Sequence, residues 1–437
     1  MPMEGTMRKS FQLPGWLCLP AIGAGVVLAL TAHGASATPY TYTTLHAFCR
    51  VANCADGQHP MAGLLIDAAG DLYGTTRDGG KYGYGLVFKL IPNADKTKYT
   101  EHILKSFCAQ AGCPEGSHPA AELIMDADGN LYGTALGGGK YGNGVAFKMR
   151  PVANGWSYAA IHSFCHDTNC TDGRFPDTGF TYAGQISGVP WDGSSPLFAT
   201  TNSGGAYNQG SVYELSPNGS GWTYQVIHSF SSGLFAGPVI LTSSGNLFGV
   251  TREGGKYGDG TLYRLAAGTW SEATLHNFCA ETNCTDGYYP YGRLAVDAAG
   301  NLFGTASQGG SGQLAAGVAF EYTPGSGYSV IYNFCSRQDC GDGSNPAAGM
   351  IMDAGGNLLG TTTVGGKRED GGTAFMLSHG SGWTEQVLHS FCGNNGTCKG
   401  GTGLGSPLVL DQSGNLFGTI MNDGAYGDGG SVFELSP

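Results

Sequence analysis

From residue 40 onward, apolar and polar positions alternate over short runs, and no stretch shows helical spacing. One unit is clearest between residues 120 and 164. A strand is predicted over 120–126, followed by the turn Ala127-Asp128-Gly129 and a second strand over 130–135. A Gly-rich loop (137–144), a third strand (145–150), the turn Asn154-Gly155 and a fourth strand (156–164) complete it. The same order returns about every 57 residues. Each return ends on an aliphatic–x–x–Phe phrase, at Phe48, Phe107, Phe164, Phe230, Phe278, Phe334 and Phe391. A second anchor, Asn130-Leu131-Tyr132-Gly133-Thr134, recurs around Gly74, Ala199, Gly249, Gly304, Gly360 and Gly418.

Four antiparallel strands per unit and seven units predict an all-β, seven-bladed β-propeller. An open β-solenoid is the competing architecture, but its repeats are shorter and lack four separate strands. The two ends of the pattern favour the ring. An outer-strand phrase (40–48) stands first, and a third-strand phrase (431–437) stands last. Pairing the N-terminal strand with the last blade closes the ring and hides both edges. In such a meander, the loop after each Phe and the Gly-rich loop share one face. The Asp-x-x-Gly-Asn turns and the Asn-Gly or Gly-Ser turns share the other.

Composition changes the picture in two places. The 76 glycines sit at fixed offsets within the repeat, so they are turn chemistry and not low complexity. A net charge of −12 with 12% charged residues argues against a nucleic-acid partner and against an anionic membrane surface. The N-terminus reads as a signal peptide over 1–37: Arg8 and Lys9, an apolar run over 16–32, then Ala35-Ser36-Ala37. That leaves 38–437 as a single propeller domain, secreted or periplasmic, with an uncleaved anchor as the alternative.

With Cys18 set apart in the apolar run, twelve cysteines form six local pairs directly after the repeat Phe. They are Cys49 with Cys54, Cys108 with Cys113, Cys165 with Cys170, Cys279 with Cys284, Cys335 with Cys340, and Cys392 with Cys398. In an exported chain this even, regular set reads as disulfides, and the spacing without histidine partners fits zinc poorly.

Residues such as Gly63-Leu64-Leu65-Ile66-Asp67, Leu72-Tyr73-Gly74-Thr75-Thr76, Gly79-Gly80-Lys81-Tyr82-Gly83 and Val87-Phe88-Lys89-Leu90 resemble the bacterial GloVer tandem repeat. The resemblance covers residues 40–437. It implies an exported, propeller-forming repeat protein, often with a C-terminal surface anchor, and no particular reaction. No sorting tail follows the last strand phrase here, so surface anchoring is not expected.

Candidate chemistry gathers on the cysteine-loop face. Acid–Gly pairs at Asp56, Glu115, Asp172, Asp286 and Asp342 are calcium candidates if they encircle the channel mouth, or plain turn residues if each bonds its own backbone. Just beyond them the residue varies: His59, His118, Phe175, Tyr289 and Asn345. The Gly-rich loops add Tyr82, Tyr141, Tyr207, Tyr257 and Tyr426, with Lys81, Lys140 and Lys256. Together these form the ligand-binding candidates, suited to a glycan or a protein. The repeated histidines His46, His162, His228, His276 and His389 read as structural, one per blade. In the fourth blade the loop over 231–237 has no cysteines and no acid–Gly pair, which predicts a notch in the ligand face. The third blade has a long turn on the opposite face around Pro190-Trp191-Asp192-Gly193.

No nucleophile elbow, phosphate loop or zinc signature stands out. The reading is a monomeric binding or scaffold propeller without a resident cofactor. The alternative is an extracytoplasmic lyase or hydrolase at the channel mouth, using His59, His118, His166, Glu115 or Glu281.

Overall fold

Residues three apart on a regular strand face opposite ways, so an aliphatic–x–x–Phe phrase cannot bury both apolar ends. The computed structural model, which describes residues 40–233, 235–367, 371–392, 403–422 and 429–437, resolves the conflict with a bulge. In every outer strand the register slips at the aliphatic residue, which leaves Leu45, Leu104, Ile161, Ile227, Leu275, Ile331 and Leu388 without an opposite partner. The extra residue resets the alternation. Leu104 then packs against the same cluster that encloses Phe107. All seven repeat phenylalanines are at most 1% exposed. Burial of each contributes about 1.5–3 kcal/mol.

Seven antiparallel sheets follow, each a blade of the predicted propeller. The first runs Leu65–Ile66, Leu72–Thr76, Leu86–Pro92 and Tyr99–Ser106 from the axis outward. The second runs Ile124–Met125, Leu131–Ala135, Val145–Val152 and Gly155–Ser163. The innermost strand is thus much shorter than the expected 120–126. Pro119 has no N–H for a ladder, and the preceding residue bonds sideways instead: the His118 N–H donates to the Tyr84 carbonyl of the first blade, 2.8 Å.

Two blades depart from the pattern. In the third, the inner strand is reduced to one bridge, Thr181 with Phe198, because the chain leaves for a 3-10 turn at Gln185–Ser187 and the long opposite-face turn. That turn ends on Trp191, fully buried and edge-on to Tyr132 at 4.7 Å. In the fifth, Tyr288–Pro290 adds a further pairing to Leu302–Gln308.

Closure is as expected. Thr41–Ala47 pairs antiparallel with Ser431–Ser436 of the last blade, with Thr41 opposite Ser436 and Ala47 opposite Ser431. Side chains repeat the closure from blade to blade. Thr75 donates to Ala121 O, Thr134 to Thr178 O, Thr200 to Ala236 O, Thr305 to Ala348 O and Thr361 to Ser406 O. Thr419 donates to Ala62 O at 3.0 Å and so joins the last blade to the first. In the fourth blade the position is Val250, and the bond is lost.

The core lies between blades. Seven apolar clusters draw on neighbouring sheets, as where Tyr73 and Val87 of the first meet Leu131, Val145 and Phe147 of the second. The outer-strand histidines belong to the same joints. His162 stacks on Tyr224 of the next blade, and His276 on Tyr328, each at 3.8 Å. The expected signal segment (1–37), Tyr426 and Cys398 lie outside the described residues.

Candidate functional site

The loop after five of the repeat phenylalanines, Phe48, Phe107, Phe164, Phe278 and Phe334, is tied down three ways. First, a disulfide joins Cys49 to Cys54, Cys108 to Cys113, Cys165 to Cys170, Cys279 to Cys284 and Cys335 to Cys340. Cys392 is also disulfide-bonded. Second, the carbonyl of the second cysteine accepts from the Gly-rich loop of its own blade, as Cys54 O does from Gly80 N at 2.9 Å. Third, the acid–Gly carboxylate folds back onto the loop backbone. Asp56 accepts from Arg50 N at 2.9 Å, Asp172 from His166 N, Asp286 from Ala280 N and Asp342 from Ser336 N. Glu115 accepts from Ala109 N at 2.7 Å.

Burial works against the Asp342 carboxylate, yet Tyr332, Ser336 and two backbone N–H groups hold it below its usual range. Asp56, Glu115, Asp172, Asp286 and Asp342 are not brought together. Among the described residues, three ligand atoms meet only at Asp259, Cys279 and Cys284, where both sulfurs are already in a disulfide. Sulfur pairs of this kind persist in oxidising compartments, so the chain is extracytoplasmic in character.

The variable residues next to these loops form a ring with one backbone shape. His59, His118, Phe175, Tyr289 and Asn345 all have φ between 55° and 59°. The left-handed region costs a non-Gly residue about 1–2 kcal/mol. Each is held there by two backbone bonds. The Phe175 N–H donates to Asn143 O of the preceding blade at 2.9 Å, and its carbonyl accepts from Asn202 N of its own at 3.1 Å. Phe235 fills the same place in the fourth blade, with φ 59° and its carbonyl accepting from Arg252 N. Sequence reading missed it because the proline that follows every other member is absent there.

The side chains divide this ring into two halves. On the first two blades, His59 and His118 converge on Asp78, with Nδ1–Oδ2 of 2.8 Å and Nε2–Oδ1 of 3.6 Å. Burial lowers the His118 pKa, and Asp78 opposes that shift. Asp78 was not foreseen, because nothing in the repeat marks it. On the third to fifth blades the ring is aromatic and cationic: Arg174 lies over Phe175 and Arg252 over Tyr289, both at 5.4 Å. The Gly-loop tyrosines stand outside. Tyr82 is 39% and Tyr257 44% exposed, while Tyr141 is half-buried against His166. A lysine lies over each, Lys81, Lys140 and Lys256. His166 itself pairs with Asp167 at 2.9 Å, away from the His59–Asp78–His118 group.

Beneath the ring the channel is crossed. Glu122 of the second blade meets Arg293 of the fifth at 3.1 Å. These blades are not neighbours, so the pair spans the axis. A Cβ on Gly63 of the first blade would lie 2.8 Å from Glu122 Oε1 and 3.1 Å from Pro407 of the seventh. Nearby, Tyr291 of the fifth blade reaches past the fourth to Asp177 of the third, 2.8 Å.

At the fourth blade the predicted notch is present. A cavity of about 320 Å³ is lined by Gln209, Ser231, Ser232, Gly233, Glu253, Gly254 and Gly258.

The pattern of the Gloeobacter/Verrucomicrobia repeat matches residues 21–195 and 185–433. No curated protein matches this chain. Among solved structures it is similar to a protein assigned as an oxidoreductase (glucose dehydrogenase) from Thermus thermophilus. The identity is 15% and the TM-score 0.38, over 91% of this chain and 99% of that one. A protein assigned as a 6-phosphogluconolactonase from Bacteroides uniformis gives 14% and 0.48, over 80% and 89%. PorZ, a surface component of the type-IX secretion system of Porphyromonas gingivalis, gives 14% and 0.49, over 87% of this chain and 47% of that one. Likeness at this level carries no argument about activity.

Proposed function

We propose that this chain, which belongs to the Gloeobacter/Verrucomicrobia repeat family, is an exported propeller that binds a glycan on its disulfide-stiffened face. The observation that carries this reading is the ring itself. One strained backbone conformation recurs around the axis, while the side chains it presents differ: His59, His118, Phe175, Phe235, Tyr289, Asn345. A rigid scaffold with varied tips is how loops make an asymmetric binding site. Aromatic faces beside guanidinium and amide groups match the mixed apolar and hydroxyl surface of a sugar. The signal peptide at 1–37 and the secreted or periplasmic location belong to the same proposal.

The test is a screen of purified protein against immobilised oligosaccharides and polysaccharides, with product analysis on each. Binding without turnover, weakened by Phe175→Ala and Tyr289→Ala, is the expected result. Capture of protein ligands alone would reject the glycan.

A second reading, a lyase or hydrolase, draws on one observation: His59 and His118 share the carboxylate of Asp78 at the ring. A carboxylate-oriented imidazole is the arrangement a general base needs. Turnover in the same screen, abolished by His59→Gln, would favour it over simple binding.

A further inference from the structure

The cavity at the fourth blade lies beside the one described loop after a repeat Phe that has no cysteines. In five other blades the second cysteine's carbonyl accepts from the Gly-rich loop, as in Gly80 N to Cys54 O, Gly139 N to Cys113 O, Gly205 N to Cys170 O, Gly310 N to Cys284 O and Gly366 N to Cys340 O. The counterpart, Gly255, makes no such bond among the described residues. Gly233 takes the place of the acid–Gly glycine: a Cβ on Gly254 would clash with the Gly233 backbone as one on Gly138 would with Gly116. The cavity is open, at about 320 Å³. That is the low end of small-molecule pockets, roughly 300–1,000 Å³, and suits one sugar ring.

The lining is chemically coherent. Gln209, Ser231, Ser232 and Glu253 supply an amide, two hydroxyls and a carboxylate. None of the four side chains has a hydrogen-bond or ion-pair partner among the described residues. The cations nearby are turned elsewhere, Arg252 over Tyr289, Lys256 over Tyr257, and Arg174 over Phe175 with a bond to Asn208. Glu253 is therefore the single charged group among the described residues that line the cavity, in a chain of net charge −12. Exposed Phe235 and Tyr257 lie within two residues of the lining in sequence.

We infer that this cavity binds one residue of an amino sugar with a free amine, its ammonium group on Glu253 and its hydroxyls on Gln209, Ser231 and Ser232. This deepens the glycan reading above and rests on it. A lysine side chain carries the same ammonium, but its four methylenes need an apolar slot, and serine and glycine line this one.

Titration calorimetry at pH 6 with a glucosamine pentamer, its fully N-acetylated counterpart and a lysine pentapeptide tests the inference. The glucosamine pentamer is expected to bind, with affinity falling as salt rises. The N-acetylated pentamer should bind at least ~10-fold more weakly, since acetylation removes the charge. Glu253→Gln should lose a similar factor, and Gln209→Leu should weaken binding without changing its salt dependence. Unchanged melting temperatures establish that both variants fold. Equal binding of both pentamers, equal binding of the lysine peptide, or an unaffected Glu253→Gln would each overturn the inference. If a neutral glycan binds and Glu253→Gln has no effect, the glycan reading survives and the amino-sugar site does not. If no glycan binds at all, both fall.

Discussion

Tyr291 of the fifth blade donates its hydroxyl to Asp177 of the third, 2.8 Å away and across the shortened fourth blade. Asn202 Nδ2 donates to the same carboxylate oxygen at 2.6 Å, while Asp177 Oδ1 has no partner among the described residues. Burial pushes the Asp177 carboxyl up to about 6, against the pull of its two donors.

This sets a pH dependence with a definite sign. A carboxyl raised in the folded state stabilises fully below its ordinary pKa of 3.8, and that contribution is lost as pH rises through about 6. Asp177→Asn cannot ionise. Its melting temperature should therefore gain on that of the wild type between pH 4 and 7. Tyr291→Phe, which strips a donor from a buried carboxylate, should cost about 1–3 kcal/mol. Paired thermal melts across that range check both, and a constant gap between wild type and Asp177→Asn would refute the assignment.

The opposite sign holds at the ring closure. His389 stacks on Tyr42 of the closing strand at 4.8 Å, and burial lowers its pKa to about 4. A base depressed in this way stabilises fully above 6.5, and the contribution is lost as pH falls through about 4. His389→Gln should be less stable than wild type at pH 7, with the difference shrinking by pH 4.5. Urea midpoints at the two values measure this.

Deleting residues 40–47 would expose the edge of Ser431–Ser436 and remove the closing strand. Exposed edges template self-association. The shortened protein should elute as oligomers or aggregate, and unfold over a broader range. A monomer with an unchanged melting curve would mean that the paired termini do not hold the ring.

The disulfides should be complete but locally acting. Alkylation without reductant should label none of the ten cysteines in the five described pairs, read by peptide mass mapping. Replacing Cys165 and Cys170 by alanine should cost about 2 kcal/mol in the chain-entropy account of so short a loop. The wider fold should persist, because Asp172 still caps the loop backbone at His166 N.

How much of this could be read beforehand varies with the range of the interaction. Blade number, strand order, closure and local cysteine pairing were all legible, since each leaves a mark at a fixed offset along the chain. The bulge in the outer strand was half legible: the aliphatic–x–x–Phe spacing contradicts simple alternation, though the residue that slips shows only in the register. Phe235 was hidden by the proline lost after it, and the inner strands came out shorter than the alternation suggested. The notch was foreseen from the cysteine-free loop at 231–237, but its free groups Gln209 and Glu253 were not.

The repeating pattern by itself determined a closed ring of seven sheets, because side-chain periodicity and turn chemistry act over a few residues and are written locally. Only the tertiary structure decided which unlike residues meet. Asp78 with His118, Glu122 with Arg293, and Asp177 with Tyr291 are encounters between residues of different blades. They depend on the curvature of the whole ring, to which no short stretch of chain responds.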